Sequence, residues 1–247
     1  MANVIETAGL RKRYGDFGAL HGIDLAMPEG SVFALMGASG AGKTTAIKIL
    51  LNLIEPTQGV ARVLGVESRR IRPRDLAQIG YVSENQLLPA RLRVAHFFEY
   101  LRPCYPNWDL RLEQDLRAQL RLPAGRRIGE LSHGMRLKLA LASALAYRPR
   151  LLILDEPFSG LDALARDEIV AEFLRQAGRI SVLISSHELD EIERLATHVA
   201  FLHEGRLLFH GPLAALYEHG CALLSLAAAS RPSLRAIFIA MVRSASS

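Results

Sequence analysis

Hydrophobic and polar residues alternate in short blocks over the first third of the chain. Apolar runs rich in Val, Leu, Ile and Phe are separated by Gly, Pro and Asp, a pattern typical of β-strands. From Lys43 the apolar positions follow helical spacing, and the predicted helix runs through Ile54 until Pro56 and Gly59 end it. The strands predicted for this region are residues 4–10, 20–26, 32–37, 60–65 and 79–83.

Helical spacing replaces the short strands between residues 87 and 149. Three helices are predicted there, at 94–102, 110–120 and 132–147. Strands and helices then alternate again, with strands at 151–155, 180–186, 198–202 and 206–210 and helices at 163–177 and 188–196. Such alternation predicts an α/β fold with a mainly parallel sheet that is covered by helices.

These changes of pattern predict three parts of the chain. Residues 1–86 and 150–220 form a core, and residues 87–149 form a helical subdomain inserted into it. Residues 221–247 form a C-terminal extension rich in Ala and Ser, in which 234–242 predict a short docking helix or strand.

A glycine-rich loop follows the predicted strand 32–37 and precedes a helix. Residues 37–44 match G-x-x-x-x-G-K-[ST] at every fixed position. Backbone N–H groups of such a loop surround phosphate oxygens, Lys43 reaches the β- and γ-phosphates, and the Thr44 hydroxyl is placed to bind Mg²⁺. The candidate nucleotide-binding residues are Gly37, Ala38, Ser39, Gly40, Ala41, Gly42, Lys43, Thr44 and Thr45. The alternative, a glycine-rich turn with a chance lysine, does not explain the strand and helix on either side.

Two acids end the apolar strand 151–155. Asp155 is suited to hold Mg²⁺, and Glu156 is suited to accept a proton from the water that attacks the γ-phosphate. Alternatively, the paired acids cap the following helix. The P-loop alone fits GTPases, kinases and many ATPases, so other stretches must narrow the class.

The stretch from residue 130 to residue 162 resembles the ATP-binding subunits of ABC transporters. Residues 131–135, Leu-Ser-His-Gly-Met, stand where that family carries its Leu-Ser-Gly-Gly-Gln signature. We call these five residues the signature turn. Residues 159–162 match the family's D-loop, and Ser186-His187 match its switch histidine. Tyr14 precedes the P-loop by about the same number of residues as the aromatic residue that stacks on adenine in this family. The motifs follow one another in the family's order.

The resemblance implies a P-loop NTPase core with a mainly parallel sheet, an antiparallel β subdomain near the N-terminus and an inserted helical subdomain. It also implies that Tyr14 stacks on adenine and that His187 holds the γ-phosphate and the attacking water. By the same resemblance, Ser132, Gly134 and Asp162 contribute to a site that is complete only in a dimer, with ATP between one P-loop and the other subunit's signature turn. The implied cofactors are ATP and Mg²⁺.

The signature turn departs from the family at two positions. His133 stands in place of a glycine and Met135 in place of a glutamine. Ser132 and Gly134, which supply the main hydrogen-bond donors, remain, and Ser132 is suited to cap the following helix. We therefore expect hydrolysis to survive, and we expect His133 to be an exposed loop residue or an additional donor.

The turn after strand 79–83 carries an acid where the family carries a glutamine that binds Mg²⁺. Counted from Gly80, that position is Glu84, and a carboxylate is a good ligand for a hard cation. The metal residues predicted are therefore Thr44, Asp155 and Glu84. Gln86 is the alternative if the loop shifts by two residues. A third interpretation is an ordinary polar turn that faces a transmembrane permease, the partner that the family resemblance implies.

Composition limits where the protein acts without selecting a ligand. The 247 residues carry 30 Lys and Arg and 25 Asp and Glu, for a net charge of +5. The two cysteines, Cys104 and Cys221, suggest free thiols in a reducing compartment. The N-terminus has no apolar segment typical of a secretory signal, and no apolar run approaches the roughly 20 residues of a membrane helix. We expect a cytoplasmic protein, peripheral on the inner face of the membrane through its permease, with no nucleic acid as partner.

The resemblance favours an ATP-hydrolysing subunit that drives a separate transmembrane permease and pairs with a second ATP-binding subunit, either a copy or a related chain. The turn at 79–86 and the stretch Tyr-Pro-Asn-Trp-Asp at 105–109 resemble bacterial ABC-2-type exporters, although an importer stays open. Two alternatives are a soluble ABC-type ATPase without a membrane partner and a regulatory ATP-binding module without turnover. The substrate does not follow from the sequence.

Overall fold

A computed structural model describes residues 2–84, 86–176, 180–225 and 232–245. The chain forms two compact units, a first unit of Met1–Ile71 with Ser181–Ser247 and a second unit of Arg72–Ile180. The strands are β1 (Asn3–Tyr14), β2 (Phe17–Pro28), β3 (Val32–Met36), β4 (Gln58–Val63), β5 (Val66–Glu67), β6 (Ile79–Ser83), β7 (Leu151–Asp155), β8 (Ser181–Ser186), β9 (His198–His203) and β10 (Arg206–Pro212). The helices are α1 (Lys43–Leu50), α2 (Pro73–Leu76), α3 (Val94–Leu101), α4 (Leu110–Gln119), α5 (His133–Leu145), α6 (Ala163–Gln176), α7 (Leu189–Leu195), α8 (Leu213–Leu223) and α9 (Leu234–Ala245).

The first unit contains both kinds of sheet that the sequence predicts. β1, β2, β4 and β5 pair antiparallel in the order β2-β1-β4-β5. β3 lies between β8 and β9, parallel to both, and β10 closes this edge antiparallel to β9. Every residue of β3 is buried, as expected for a parallel strand covered on both faces. The predicted antiparallel β subdomain near the N-terminus and the mainly parallel sheet are therefore confirmed.

Helix α1 ends earlier than its apolar pattern predicts. It stops at Leu50 and not at Ile54, because Asn52 adopts a left-handed conformation with φ 55°. The N–H of Leu53 donates to the carbonyl of Lys48 at 2.8 Å, which closes the helix end. The prediction overlooked asparagine as a helix terminator.

The second unit combines a parallel strand pair with the helices that carry the signature turn. β6 and β7 run in register, from Ile79 opposite Leu151 to Ser83 opposite Asp155, and both strands have the predicted bounds. The three helices predicted between 87 and 149 are confirmed as α3, α4 and α5. The subdomain boundaries at 87 and 149 stay a prediction.

A buried acid holds the helical part of the second unit together. The Glu113 side chain is fully buried and accepts hydrogen bonds from Arg102 at 2.8 Å, Trp108 at 3.0 Å and Arg117 at 3.1 Å. Burial alone would raise the pKa of the Glu113 carboxyl, but these donors outweigh it and hold the pKa below its ordinary value. Glu113 is thus a charged structural residue, not a candidate for proton transfer.

Two helices end the chain. α9 covers the segment predicted as a helix or a strand, so the helical alternative is right. α8 was not predicted, although its apolar residues at 213, 216, 217, 220 and 221 follow helical spacing. Among the helices of the described ranges, none combines the length and apolar character needed to cross a membrane.

Candidate nucleotide-binding site

Buried packing fixes the backbone of the P-loop. An added Cβ at Gly37 would lie 2.2 Å from the carbonyl oxygen of Leu202, too close for any side chain. Gly42 adopts φ 107° at the N-cap of α1, and its Cβ would lie 2.7 Å from the carbonyl oxygen of Ala19. Both glycines of the sequence pattern are therefore required by the fold of the first unit.

Lys43 lies inside the loop that precedes it. Its side chain is 5% exposed, and Nζ donates to the carbonyls of Gly37 at 2.7 Å and Ala38 at 3.2 Å. Thr44 follows in the first turn of α1 and is exposed. The ammonium group and the hydroxyl therefore flank a helix N-terminus, an arrangement suited to phosphate.

Two exposed aromatic residues face each other at the hairpin between β1 and β2. Tyr14 pairs with Phe17 across the turn, and the two side chains are 47% and 64% exposed. The Lys12 ammonium lies 5.0 Å from the centre of the Tyr14 ring. Tyr14 has the exposure that stacking on adenine needs, and Phe17 offers a second ring that the sequence prediction missed. The sequence does contain a signal for Phe17, because this aromatic residue directly follows the Gly-Asp turn that comes after Tyr14.

The strand ends of the second unit bring Glu84 beside Asp155. The backbone N–H of Glu84 donates to the carbonyl of Asp155 at 3.0 Å, next to the paired residues Ser83 and Asp155. The half-buried Glu84 carboxylate also accepts a hydrogen bond from Ser159 Oγ at 2.7 Å. Gln86 is exposed. Of the two residues considered for the metal, Glu84 is the one whose backbone bonds to Asp155; its role toward a metal stays a prediction.

The two acids after β7 differ in backbone and burial. Asp155 is 5% exposed at the last position of a fully buried strand. Glu156 is half-buried and adopts a left-handed φ of 52°, which is uncommon for a residue with a Cβ. Such strain is found where surrounding structure fixes a functional side chain. The alternative that both acids cap a helix is not supported, because α6 begins only at Ala163.

The signature turn forms the N-terminus of α5. Ser132 Oγ accepts the backbone N–H of Met135 at 3.2 Å, so the predicted cap is confirmed. Ser132, His133, Gly134, Lys138 and Asp162 are among the residues that line a cavity of about 440 Å³ in the second unit. Lys138 is ion-paired with Glu168, which lines the same cavity, so the N-terminus of α5 is the feature of this cavity that suits phosphate oxygens.

His133 has a structural role that its loop position did not suggest. It is half-buried, and its Nε2 lies 3.2 Å from the carbonyl oxygen of Ser159. The signature turn is thus joined to the D-loop, and through Ser159 to Glu84. The expectation that His133 is merely exposed is wrong, because the D-loop carbonyl lies within its reach.

His187 lies with the P-loop in the first unit. It is exposed and directly follows β8, whose residues are all buried. His187 and residues 37–39 line one cavity of about 550 Å³. The structure therefore brings together two of the motifs that are far apart in the sequence.

Each residue predicted for the metal carries an oxygen donor that magnesium prefers, Thr44 in the first unit and Asp155 and Glu84 in the second. Thr44 supplies a hydroxyl, and Asp155 and Glu84 supply carboxylates, all hard oxygen donors of the kind Mg²⁺ prefers. Magnesium in NTPases is typically held by one or two carboxylates together with substrate phosphates, so an all-protein cage is not required. Within the described residues, no cluster of three or more His, Cys, Asp or Glu forms such a cage.

Comparison with known proteins gives a consistent result. Residues 20–159 match the family described as ABC transporter. The chain is 32% identical over 222 residues to the bacitracin transport ATP-binding protein BcrA of Bacillus licheniformis, covering 84% of this chain and 69% of that protein. It is 36% identical over 212 residues to the daunorubicin resistance ATP-binding protein DrrA2 of Streptomyces coeruleorubidus, covering 83% and 65%. Relatives named for import also match.

A solved structure extends the similarity over nearly the whole chain. The structure of an ATP binding subunit of an ABC transporter aligns with a TM-score of 0.85 and 26% identity, covering 97% of this chain and 99% of that chain. The match therefore includes the C-terminal helices that lie beyond residue 159.

Proposed function

Because the chain belongs to the ABC transporter family of ATP-binding proteins, we propose that it hydrolyses ATP to drive a separate transmembrane permease that exports its substrate. The observation that carries the proposal is the P-loop. Its glycines are fixed by the packing at Leu202 and Ala19, and Lys43 lies within it. A match in sequence does not by itself show that the two glycines are closely packed or that Lys43 lies inside the loop.

The P-loop binds the triphosphate. Its backbone N–H groups and the N-terminus of α1 hold the phosphate oxygens, and Lys43 exchanges its carbonyl partners for the β- and γ-phosphates. Thr44, Asp155 and Glu84 would hold a magnesium ion, which would supply positive charge to offset that of the phosphates. Tyr14 stacks on the adenine ring.

Hydrolysis needs an oriented water molecule and a base. Glu156 accepts the proton of the attacking water, and the strained backbone at this residue holds its carboxylate in place. His187 binds the γ-phosphate from the side of residues 37–39, because His187 and these three residues line the same cavity. The water then attacks the γ-phosphorus in line with the departing ADP.

A second ATP-binding subunit completes the site. The capped N-terminus of α5 presents the Ser132 hydroxyl and the N–H of Gly134 to the ATP bound by the opposite subunit, and Asp162 lines the same cavity. Hydrolysis thus depends on closure of the dimer, and closure is the motion that the permease receives.

Similarity to known proteins supports the permease and the direction of transport in this proposal. The solved relative is described as an ATP binding subunit, which implies other subunits. One relative is named for daunorubicin resistance, and the strings at 79–86 and 105–109 resemble exporter subunits. The chain therefore fits an exporter better than an importer.

Lys43→Ala tests the ATPase part of the proposal. We expect ATP hydrolysis by the purified chain to fall by about a hundredfold or more, because a phosphate-stabilising donor is lost. Lys48→Ala is the matched control, since Lys48 is an exposed lysine of the same helix and should leave the rate unchanged. Equal rates for Lys43→Ala and the parent protein would refute the assignment.

Purification from membranes tests the transport part. The tagged chain should co-purify with an integral membrane protein, and its failure to do so would favour the soluble alternative. The chain and that partner are then reconstituted together in vesicles. If the complex is an exporter, its substrate should stimulate ATP hydrolysis when added on the same side of the membrane as ATP. Stimulation only from the opposite side would indicate an importer.

A further inference from the structure

Helix α9 has a buried face that anchors it to the first unit. Leu234, Ile237 and Met241 are buried and, at spacings of three and four residues, share one side of the helix. Ile237 packs directly against α8, where an added Cβ at Gly220 would lie 2.6 Å from its side chain. The C-terminal helix is therefore a fixed part of the first unit.

The other face of α9 is directed to the phosphate-binding loop. Arg235, Phe238 and Ile239, again three and four residues apart, line the cavity of about 550 Å³ that residues 37–39 and His187 also line. All of these residues belong to the first unit. A helix outside the known motifs thus forms one wall of the space beside the P-loop.

An aromatic contact sets the rotation of α9 about its axis. The Phe238 ring lies edge-on to Phe201 of β9, with ring centres 5.2 Å apart, and 6.4 Å from the ring of His203. With Phe238 held in this way, Arg235 one turn earlier is directed to the same cavity.

Arg235 has the chemistry of a phosphate ligand. It is exposed, and within the described part of the chain no hydrogen bond or ion pair occupies its guanidinium group. A guanidinium presents several N–H donors in one plane and binds phosphate oxygens in pairs. Phe238 and Ile239, the other residues of α9 that line this cavity, are apolar, so the charge that the helix contributes to the described lining comes from Arg235.

We propose that Arg235 binds the terminal phosphate of the ATP held by the P-loop, and that α9 is thereby a wall of the nucleotide site. The inference rests on the proposed ATPase function and adds to it a residue that distinguishes ATP from ADP. ADP lacks the γ-phosphate that lies on the side of His187, so Arg235 contributes only to ATP affinity.

Equilibrium binding of ATP and of ADP to the full-length chain tests this proposal. Arg235→Gln should weaken ATP binding by about tenfold, as expected for the loss of one charge-assisted contact, and change ADP binding by less than about twofold. Arg235→Lys keeps the charge but not the planar donors, so its ATP affinity should lie between those of the parent protein and Arg235→Gln. Thermal unfolding of each variant confirms that the fold is retained.

Arg243→Gln is the matched control. Arg243 is an exposed arginine of the same helix that does not line the cavity, so this variant should leave both affinities unchanged. If Arg235→Gln leaves the ratio of ATP to ADP affinity unchanged, or if Arg243→Gln alters it equally, the proposal is wrong. If Lys43→Ala fails to weaken the binding of either nucleotide, the proposed function itself is wrong.

Discussion

The P-loop and the signature turn are both assigned to phosphate, yet the surrounding chain constrains them differently. At Gly37 of the P-loop the carbonyl of Leu202 leaves no room for a Cβ. At position 133 of the signature turn the family's glycine is replaced by histidine, whose ring reaches the carbonyl of Ser159 at 3.2 Å. Position 37 is closed to side chains, and position 133 has space for one.

The difference shows which part of each motif carries the function. In both, the donors to phosphate come largely from the backbone at a helix N-terminus. In the P-loop, a side chain at Gly37 or Gly42 would displace that backbone, so both fixed glycines of the pattern are needed. In the signature turn, the Ser132 cap holds the backbone N-terminus of α5, and the neighbouring side chain can vary. The departure at His133 therefore does not predict loss of activity.

The largest effect on nucleotide binding is expected for Gly37→Ala. The added methyl group must move the Leu202 strand or the loop itself, and we expect ATP affinity to fall by up to about a hundredfold. Gly125→Ala is the control, because an added Cβ at Gly125 has no neighbour within 4 Å. Nucleotide titration of both variants measures the effect; a Gly37→Ala protein that binds ATP normally would show that the loop is not closed.

A smaller effect is expected for Ser132→Ala. Loss of the cap frays the first turn of α5 and removes a hydroxyl donor, so the hydrolysis rate should fall by about tenfold. His133→Gly restores the family residue and keeps the cap, and steady-state hydrolysis should then stay near that of the parent protein. If His133→Gly is the more damaging change, the side chain and not the cap carries this motif.

The smallest effect is expected at the turn that distinguishes Glu84 from Gln86. Glu84→Ala should raise the Mg²⁺ concentration for half-maximal hydrolysis by about fivefold, because one carboxylate ligand is lost. Gln86→Ala, at an exposed position, should leave the requirement unchanged. A normal Mg²⁺ titration for Glu84→Ala would reject the assignment and leave Glu84 as the hydrogen-bond partner of Ser159 alone.

Local pattern predicts much of this fold but not its long-range contacts. β6 and β7 were located to the residue because apolar runs bounded by turn residues define buried strands. Local sequence also predicts three features of the site, because each depends on neighbours within a few residues. These are the P-loop, the acids after β7 and the Ser132 cap. By contrast, the C-terminal end of α1 depends on the conformation of the single residue Asn52, and the sequence of α8 has only a weak helical pattern.

The position of α9 beside the P-loop was not predictable. Its helical spacing is visible at 234–241, but Arg235 meets residues 37–39 only through packing against α8 and β9. The contact of His133 with Ser159 is hidden for the same reason. Such contacts bring distant residues together without leaving a periodic signal.

Glu156→Gln, measured for both hydrolysis and association, tests whether Glu156 is the base that accepts the proton of the attacking water. The variant keeps the shape of the side chain but removes the base, so hydrolysis should fall by at least about a hundredfold. ATP binding should persist, and sedimentation velocity should show an ATP-dependent dimer that the parent protein forms only transiently. An unchanged hydrolysis rate in Glu156→Gln would contradict the account, because another residue would then have to accept the proton.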